Sequence, residues 1–388
     1  MNKNIKLLSW FNFFVDFVFY APVAVLYFAH VTGSYALGMS IFSVVRIFSA
    51  LFEVPTGVFS DMIGRKNTVV AGACSSVLSV VLYAFGGSYW MLFAGAILEG
   101  LGRSFYSGNN DALLHDSLVQ TNAQEEYHRH FGKLNAFNGI GSAIVAAVGG
   151  FMANISFGLV MWASLVPRIM LVVLALMIVE PKIHVEKSTN IFFHLKESLA
   201  QFRLNRKLRL LTIVSAMRTA IYEGAYTFRT AFVATLWPLW AVGFSNTISS
   251  IGAAISFFSS GKVIDRFGYK RVLVFEIIIN RIINLSALIF PTVASPALMG
   301  TTSLTYGVTT TAVNAMLQKE FTPKQRATLG SLSSLFGSIA FSVVAVLLGY
   351  IGDRIGPAKA LIIAHVSILT ILFFYKKIFS SESVKARV

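Results

Sequence analysis

Long apolar runs alternate with short polar connections along the whole chain. In lipid, only helices and closed barrels satisfy their own backbone, and a spanning helix needs about 20 apolar residues. Several runs are far longer than the roughly ten residues of a barrel strand. The pattern predicts an all-α integral membrane protein with twelve transmembrane helices, spans 1 to 12, at residues 7–29, 36–60, 68–85, 88–113, 131–153, 157–179, 209–237, 239–264, 272–290, 297–317, 327–351 and 357–375.

The composition agrees with this prediction. Hydrophobic residues make up 55% of the 388 residues and charged residues 13%, whereas soluble domains carry about 25% charged residues. That balance excludes an ordinary soluble enzyme, and it excludes a disordered chain, which lacks apolar surface. We therefore expect the lipid bilayer as a partner. We expect no nucleic acid partner, since the basic residues form no patch.

The positive charge predicts an orientation. The formal net charge is +15, and the basic residues occur in short clusters between apolar runs. Clusters such as Arg65-Lys66 fall on one set of loops, whereas the opposite loops contain only Arg354 and Lys359. Because Lys and Arg accumulate in cytoplasmic loops, both termini are expected in the cytoplasm. The expected location is a bacterial inner membrane.

The segment 181–208 is the only long connection between apolar runs. It predicts an N-terminal six-helix bundle at 1–180, a cytoplasmic linker, and a C-terminal six-helix bundle at 209–388. Four apolar residues of the linker lie at helical spacing beside basic residues, which is typical of an amphipathic helix on the inner leaflet. An irregular polar linker is the alternative. The four residues are Phe192, Leu195, Leu199 and Phe202.

A short motif occurs in both halves of the chain. The pattern G-x-x-x-D-x-x-G, followed by basic residues, comes after span 2 and again after span 8. At the same offset, Asn110 near the end of span 4 matches Asn314 near the end of span 10. Internal repeats of this kind are typical of secondary transporters. The two copies contain Gly57, Asp61, Gly64 and Arg65, and Gly261, Asp265, Gly268 and Arg271.

These features resemble the major facilitator superfamily (MFS) of transporters over essentially the whole chain, because the duplicated motif is similar to that family's motif between helices 2 and 3. The resemblance implies the MFS fold of two pseudo-symmetric six-helix bundles, with spans 1, 4, 7 and 10 lining a central cavity. It also implies that Asp61, Arg65, Asp265 and Arg271 form a charge relay at a cytoplasmic gate. The alternative is that these charges only end helices and anchor loops.

Two further segments resemble proton-coupled drug exporters of this family. Residues 98–103, LEGLGR, are similar to the helix-4 motif of those exporters, and residues 19–23, FYAPV, to their first-helix motif. In span 5, Ser142 stands where the antiporter motif has a Gly-Pro pair. That departure leaves the direction of transport open.

Ionisable side chains inside the membrane are the candidates for function, because each costs roughly 3 kcal/mol at the bilayer centre. As proton carrier we expect Asp16, then Glu223, then Glu99. A permanent ion pair with Arg103 is the alternative for Glu99, and a pair with Arg218 is the alternative for Glu223. The candidates for the substrate cavity are Arg46, Arg103, Arg168, Arg218, Tyr20, Tyr106, Tyr222, Tyr306, Asn110 and Asn314.

The first functional hypothesis is proton-coupled export of a hydrophobic or amphipathic small molecule by a monomer that works by alternating access. The alternatives are an importer or facilitator of a polar, anionic metabolite bound by Arg46, Arg103 and Arg168, a lipid flippase, and a membrane sensor. The sequence contains no P-loop for ATP and no nucleophile–base arrangement, so we expect no enzyme. Its histidines lack metal-ligand spacing, so we expect no metal and no cofactor.

Overall fold

The computed structural model describes residues 3–120, 123–181, 205–320 and 326–385. Every regular element in these ranges is helical. Seven of the described helices are long and apolar enough to cross a membrane, and they cover spans 2, 3, 5, 6, 8, 9, 11 and 12. This confirms the predicted all-α membrane fold. The seven are Tyr35–Glu53, Arg65–Phe85, Arg129–Ile155, Phe157–Met177, Leu239–Ile289, Leu332–Ile355 and Pro357–Ser380.

The chain divides into two compact units. Unit 1 contains Met1–Glu186 and Pro238–Phe244, and unit 2 contains Lys187–Trp237 and Ser245–Val388. The predicted amphipathic helix of the linker falls at 192–202, outside the described residues.

Nine helices form the described part of unit 1 up to residue 181. They are α1 (Lys3–Val15), α2 (Ala24–Thr32), α3 (Tyr35–Ile63), α4 (Arg65–Phe85), α5 (Tyr89–Tyr106), α6 (Asn109–Val119), α7 (Tyr127–Ile155), α8 (Phe157–Ala163) and α9 (Leu165–Met177).

Eight further helices follow in the described ranges of the chain. They are α10 (Arg206–Arg218), α11 (Gly224–Val233), α12 (Leu239–Ile289), α13 (Ser295–Thr301), α14 (Tyr306–Glu320), α15 (Arg326–Ile355), α16 (Pro357–Ser367) and α17 (Thr370–Lys385). Helix α12 contains spans 8 and 9, which meet at Gly268 with a φ of 76°.

Spans 1, 4, 7 and 10 are interrupted, and these are the four spans expected to line a cavity. Span 1 breaks between α1 and α2, and span 4 breaks at Gly108 between α5 and α6. Span 7 contains a π-helical turn at Thr219–Glu223, and span 10 a 3₁₀ turn at Thr302–Thr305. Transporters place broken helices at their binding sites, and π-turns are frequent at functional sites. Spans 6 and 12 are also divided, between α8 and α9 and between α16 and α17, so the interruptions include the four expected spans but are not confined to them.

The glycines of the LEGLGR segment bring three helices of unit 1 together. A Cβ atom on Gly100 would lie 2.8 Å from the carbonyl oxygen of Val45 on α3, and one on Gly102 would lie 2.7 Å from Oγ of Ser76 on α4. Small residues allow such close approach of helices in membranes. Close packing of α3 and α4 against α5 fixes the helix that carries Glu99 and Arg103.

Candidate functional site

The first polar network lies in unit 1, at the break of span 1. Helix α1 ends at Val15, so Asp16 is the first residue after it. Oδ1 of Asp16 lies 3.5 Å from Nη1 of Arg103, and Oδ2 accepts a hydrogen bond of 3.1 Å from Nδ2 of Asn138. The carboxylate of Asp16 thereby joins spans 1, 4 and 5.

Arg103 also binds a second carboxylate. Its Nε and Nη2 each lie 3.0 Å from Oε1 of Glu99, one helical turn away. Oε2 of Glu99 accepts hydrogen bonds from the hydroxyls of Tyr83 at 3.0 Å and Tyr20 at 3.5 Å. The predicted Glu99–Arg103 pair is therefore present, and Arg103 bridges Glu99 and Asp16.

The two carboxylates of this network differ in their access to solvent. The side chain of Asp16 is 39% exposed and that of Arg103 45% exposed, whereas the side chain of Glu99 is 12% exposed. Asp16 is thus the more exposed of the two acids, and Glu99 makes the shorter contacts with Arg103.

Arg168 binds the end of α1 at the break of span 1. Its side chain is buried, and Nη1 donates a hydrogen bond of 2.6 Å to the carbonyl oxygen of Val15, at the end of α1. The last carbonyls of a helix lack partners within it and attract positive charge. The structure therefore places Arg168 as a cap on α1, a role that sequence reasoning did not assign to it. Arg46, the other unexplained arginine, lies exposed on α3.

The second polar network lies in unit 2, around Glu276. Its Oε2 lies 3.1 Å from Nη1 of Arg218, and its Oε1 accepts hydrogen bonds from the hydroxyl of Tyr222 at 2.9 Å and Nδ2 of Asn280 at 3.0 Å. Nη2 of Arg218 donates to Oγ1 of Thr309 at 2.9 Å. The acid that binds Arg218 is thus on span 9, whereas the sequence had offered Glu223 on span 7.

Sequence reasoning missed Glu276 as a site residue, although a signal was present. Glu276, Asn280 and Asn284 recur every four residues in span 9 and are all buried, as is Arg281 in the same span. Such spacing puts them on one face of the helix. A polar stripe of this kind predicts a buried network, but its partner Arg218 lies 58 residues away in the chain.

The remaining cavity candidates fall into two groups. Tyr106 and Asn110 are buried, and the Tyr106 hydroxyl hydrogen-bonds with Oγ of Ser76 at 3.0 Å. Tyr306 and Asn314 are exposed on α14, and the Tyr306 ring makes an edge contact with Phe257.

The first copy of the gate motif is a helix junction held by charges. Gly64 has a φ of 91° between α3 and α4, a conformation that glycine adopts without steric cost. The side chain of Arg65 forms an ion pair with Asp116 on α6. The carboxylate of Glu180 accepts hydrogen bonds from the backbone N–H groups of Arg65 at 2.9 Å and Lys66 at 2.6 Å.

Neither Asp116 nor Glu180 was predicted, because each lies far along the chain from the motif. Glu180 accepts from unpaired N–H groups at the first turn of α4, where a negative charge also offsets the positive dipole end, whereas Asp116 binds the Arg65 side chain. The side chain of Asp61 lies outside the description. In the second copy, Asp265 and Arg271 are exposed beside Gly268, and their part in a relay stays a prediction. Gly57 and Gly261 both have open space where a Cβ atom would stand.

In the ranges that the structure describes, no group of three or more His, Cys, Asp or Glu residues could hold a metal ion. The polar networks are built from ion pairs, tyrosine hydroxyls and amides. Such networks can hold or pass a proton and can bind polar groups of a ligand.

Apolar spans, interrupted helices with buried polar networks, and a duplicated gate motif together define a membrane transporter. The family model described as Major Facilitator Superfamily matches residues 7–345. The chain belongs to this superfamily, whose members are multi-pass integral membrane transporters and not enzymes.

Similar proteins agree with this family. An uncharacterized MFS-type transporter of Methanocaldococcus jannaschii is 22% identical over 385 residues, covering 92% of this chain and 94% of the relative. The class D tetracycline resistance protein of Salmonella ordonez is 23% identical over 250 residues, covering 63% of this chain and 61% of the relative. The crystal structure of the nucleoside transporter NupG has a TM-score of 0.78 at 16% identity, covering 97% of this chain and 99% of that one. At 16% identity, the similarity to NupG shows a shared fold.

Proposed function

We propose that this transporter exports a hydrophobic or amphipathic small molecule in exchange for protons, by alternating access. The observation that carries the proposal is the position of Asp16, a solvent-accessible acid at the break of span 1 that shares Arg103 with Glu99. The similarity to a tetracycline resistance protein supports export of a small molecule.

The network gives protonation of Asp16 a mechanical consequence. An ionised Asp16 attracts Arg103 on span 4 and accepts a hydrogen bond from Asn138 on span 5. A proton on Asp16 removes the charge attraction, while Glu99 retains Arg103 through two contacts of 3.0 Å. Span 1 is then freed from spans 4 and 5. Differential stability of two states is what a coupling ion must supply.

The interrupted spans support alternating access. Breaks in spans 1, 4, 7 and 10 provide points where short helical pieces move separately, and the candidate residues flank them. Tyr20 lies within the break of span 1, Arg218 directly precedes the π-turn of span 7, and Glu223 is the last residue of that turn. In this proposal the chain acts as a monomer in an inner membrane with both termini in the cytoplasm.

The test of proton coupling is accumulation of amphipathic aromatic dyes by proteoliposomes that contain the purified chain and are acidic inside. Dyes with positive, neutral and negative charge are compared. The unmodified protein is expected to accumulate at least one dye only with the pH gradient, and Asp16→Asn is expected to abolish this dependence, because an amide carries no exchangeable charge. Asp16→Glu is expected to keep part of it.

The matched control is Asp353→Asn, which neutralises an exposed acid at the end of α15. It should accumulate dye like the unmodified protein. Gradient-driven transport at full rate in Asp16→Asn would contradict Asp16 as the proton carrier, and Glu223→Gln would be the next variant.

A second candidate is import or facilitated passage of a polar, anionic metabolite. The observation that favours it is a set of three buried arginines in unit 2, Arg218, Arg229 and Arg281. Exchange of an anionic dye at equal rates with and without the pH gradient would support this candidate over proton antiport.

A further inference from the structure

The described interior of unit 2 holds more positive than negative charge. Three arginines on spans 7 and 9 are at least nine-tenths buried: Arg218, Arg229 and Arg281. Among the described residues of this unit, Glu276 is the one acid with comparable burial. Burial of an ion without a counter-charge costs several kcal/mol, so the excess requires a physical explanation.

Glu276 is already engaged. Both of its carboxylate oxygens accept hydrogen bonds, from Arg218, Tyr222 and Asn280, at 2.9 to 3.1 Å. This acid therefore balances Arg218 and leaves the other two arginines to be balanced by something else.

Arg229 has neutral neighbours. Its Nη2 donates to Oγ of Ser249 at 2.8 Å and lies 3.4 Å from Oδ1 of Asn246, and its guanidinium group lies 4.9 Å from the centre of the Tyr226 ring. Arg229 is 5% exposed. These contacts orient the guanidinium group without neutralising it.

Arg281 is buried with part of its hydrogen-bonding capacity unused. It is 4% exposed, and its Nε and Nη1 have no hydrogen-bond acceptor among the residues that the structure describes. Its guanidinium group lies 5.0 Å from the centre of the Tyr222 ring. Buried N–H groups are nearly always paired, and each exception calls for a cause.

His365 on α16 is a third buried nitrogen-bearing side chain of unit 2. Its Nδ1 also lacks a partner in the described ranges. Helices α11, α12 and α16 thus each contribute a buried nitrogen-bearing side chain to unit 2, and among its described residues Glu276 is the one acid buried to the same degree.

We propose that Arg281 binds the carboxylate group of an aromatic, amphipathic substrate. A guanidinium fork matches the two oxygens of a carboxylate, and such charge-assisted bonds are the strong ones. The centre of the Tyr222 ring lies 5.0 Å from the guanidinium group of Arg281, and the ring offers an aromatic face beside it. The proposal rests on the transport function above and adds the charge of the substrate.

The test is binding of 1-naphthoate to the purified full chain in detergent, measured by isothermal titration, with 1-naphthamide as the neutral analogue of the same shape. Loss of a charge-assisted bond corresponds to about a tenfold or larger loss of affinity. We expect naphthoate to bind at least tenfold tighter than naphthamide, and Arg281→Gln to lose that difference. Arg281→Lys should keep part of it.

The matched control is Arg354→Gln, because Arg354 also stacks on a tyrosine, Tyr350, but is exposed. It should bind naphthoate like the unmodified protein. Equal binding of naphthoate and naphthamide, or unchanged binding by Arg281→Gln, would overturn the proposal. Competition by chloride or inorganic phosphate as effective as that by naphthoate would also overturn it, in favour of a free-anion site.

A second measurement separates ligand binding from a structural role. If the charge of Arg281 is compensated only when an anionic ligand binds, Arg281→Met removes an uncompensated buried charge from the ligand-free protein. The thermal unfolding midpoint of the ligand-free variant should then be higher than that of the unmodified protein. A lower midpoint would mean that Arg281 stabilises the fold, which overturns the proposal. Neither result depends on the proton gradient, so failure of proton antiport in proteoliposomes remains distinguishable from failure of this site.

Discussion

Glu276 is the most completely buried acid among the described residues, at 1% exposure, and three side chains bind it. In water the pair with Arg218 would contribute little. Inside the protein each partner requires the other, because removal of one leaves a charge without compensation. Glu276 therefore matters for stability whether or not it contacts a substrate.

The Glu276→Gln variant is expected to destabilise the protein by about 3–5 kcal/mol, the usual effect of breaking a buried pair. The measurement is the thermal unfolding midpoint in detergent, with Asp353→Asn as the exposed control. The double variant Arg218→Met/Glu276→Met should recover most of the loss. A midpoint of Glu276→Gln equal to that of the unmodified protein would show that Arg218 has other compensation.

At the scale of single residues, an ion pair could be predicted from the sequence only when its two residues lie close together along the chain. Glu99 and Arg103 are four residues apart on one helix, so their pairing followed from helical geometry. Asp16 and Arg103, or Arg218 and Glu276, meet through tertiary packing that no local pattern encodes. The candidates were therefore recognised as buried charges, but several of their partners were not.

Helix α4 illustrates how an element depends on a distant carboxylate. The chain enters α4 through Gly64, and the first two N–H groups of the helix donate to Glu180, which follows span 6. Glycine at the N-cap supplies no side-chain acceptor, so Glu180 takes the place of a capping side chain. The end of span 6 is thereby fastened to the start of span 3.

Glu180→Ala is expected to cost about 1 kcal/mol, as loss of a helix cap does, and to loosen the first turn of α4. Hydrogen exchange should show faster exchange at Arg65, Lys66 and Asn67, with the rest of α4 unchanged. Glu125→Ala, which removes another exposed acid on the same unit, is the control. Equal protection of the first turn in both variants would contradict the capping role.

At the scale of helices, the apolar pattern predicted positions well and interruptions poorly. Hydrophobicity over about 20 residues identifies a span, and span 3, predicted at 68–85, corresponds to α4 at Arg65–Phe85. The π-turn at Thr219–Glu223 contains neither proline nor glycine, and Gly224 follows it directly. Hydropathy over a window of about 20 residues does not predict such a turn.

At the scale of the whole molecule, the distribution of basic residues makes a topological prediction that can be tested. Cys74 is the single cysteine, so Cys74→Ser gives a background without thiols. In that background Arg354→Cys is expected to react with a membrane-impermeant thiol reagent added to intact cells, because outer loops are poor in Lys and Arg.

In the same background Lys262→Cys, at an exposed position of the second gate motif, should react only after the cells are permeabilised. The opposite labelling pattern would place both termini outside and would contradict the orientation. Labelling of both positions in intact cells would indicate that the reagent crosses the membrane, and a larger reagent would then be used.

The guanidinium group of Arg168 on the carbonyl oxygen of Val15 has an energetic consequence for the proposed cycle of transport. In transporters with broken helices, carbonyls exposed at such ends coordinate ions that travel with the substrate. A travelling ion performs work, because it moves down its own gradient. A tethered cation returns with the chain and performs none. The broken end of α1 thus carries a permanent internal counter-ion, and in the proposed cycle the exchangeable charge beside it is the proton of the neighbouring Asp16.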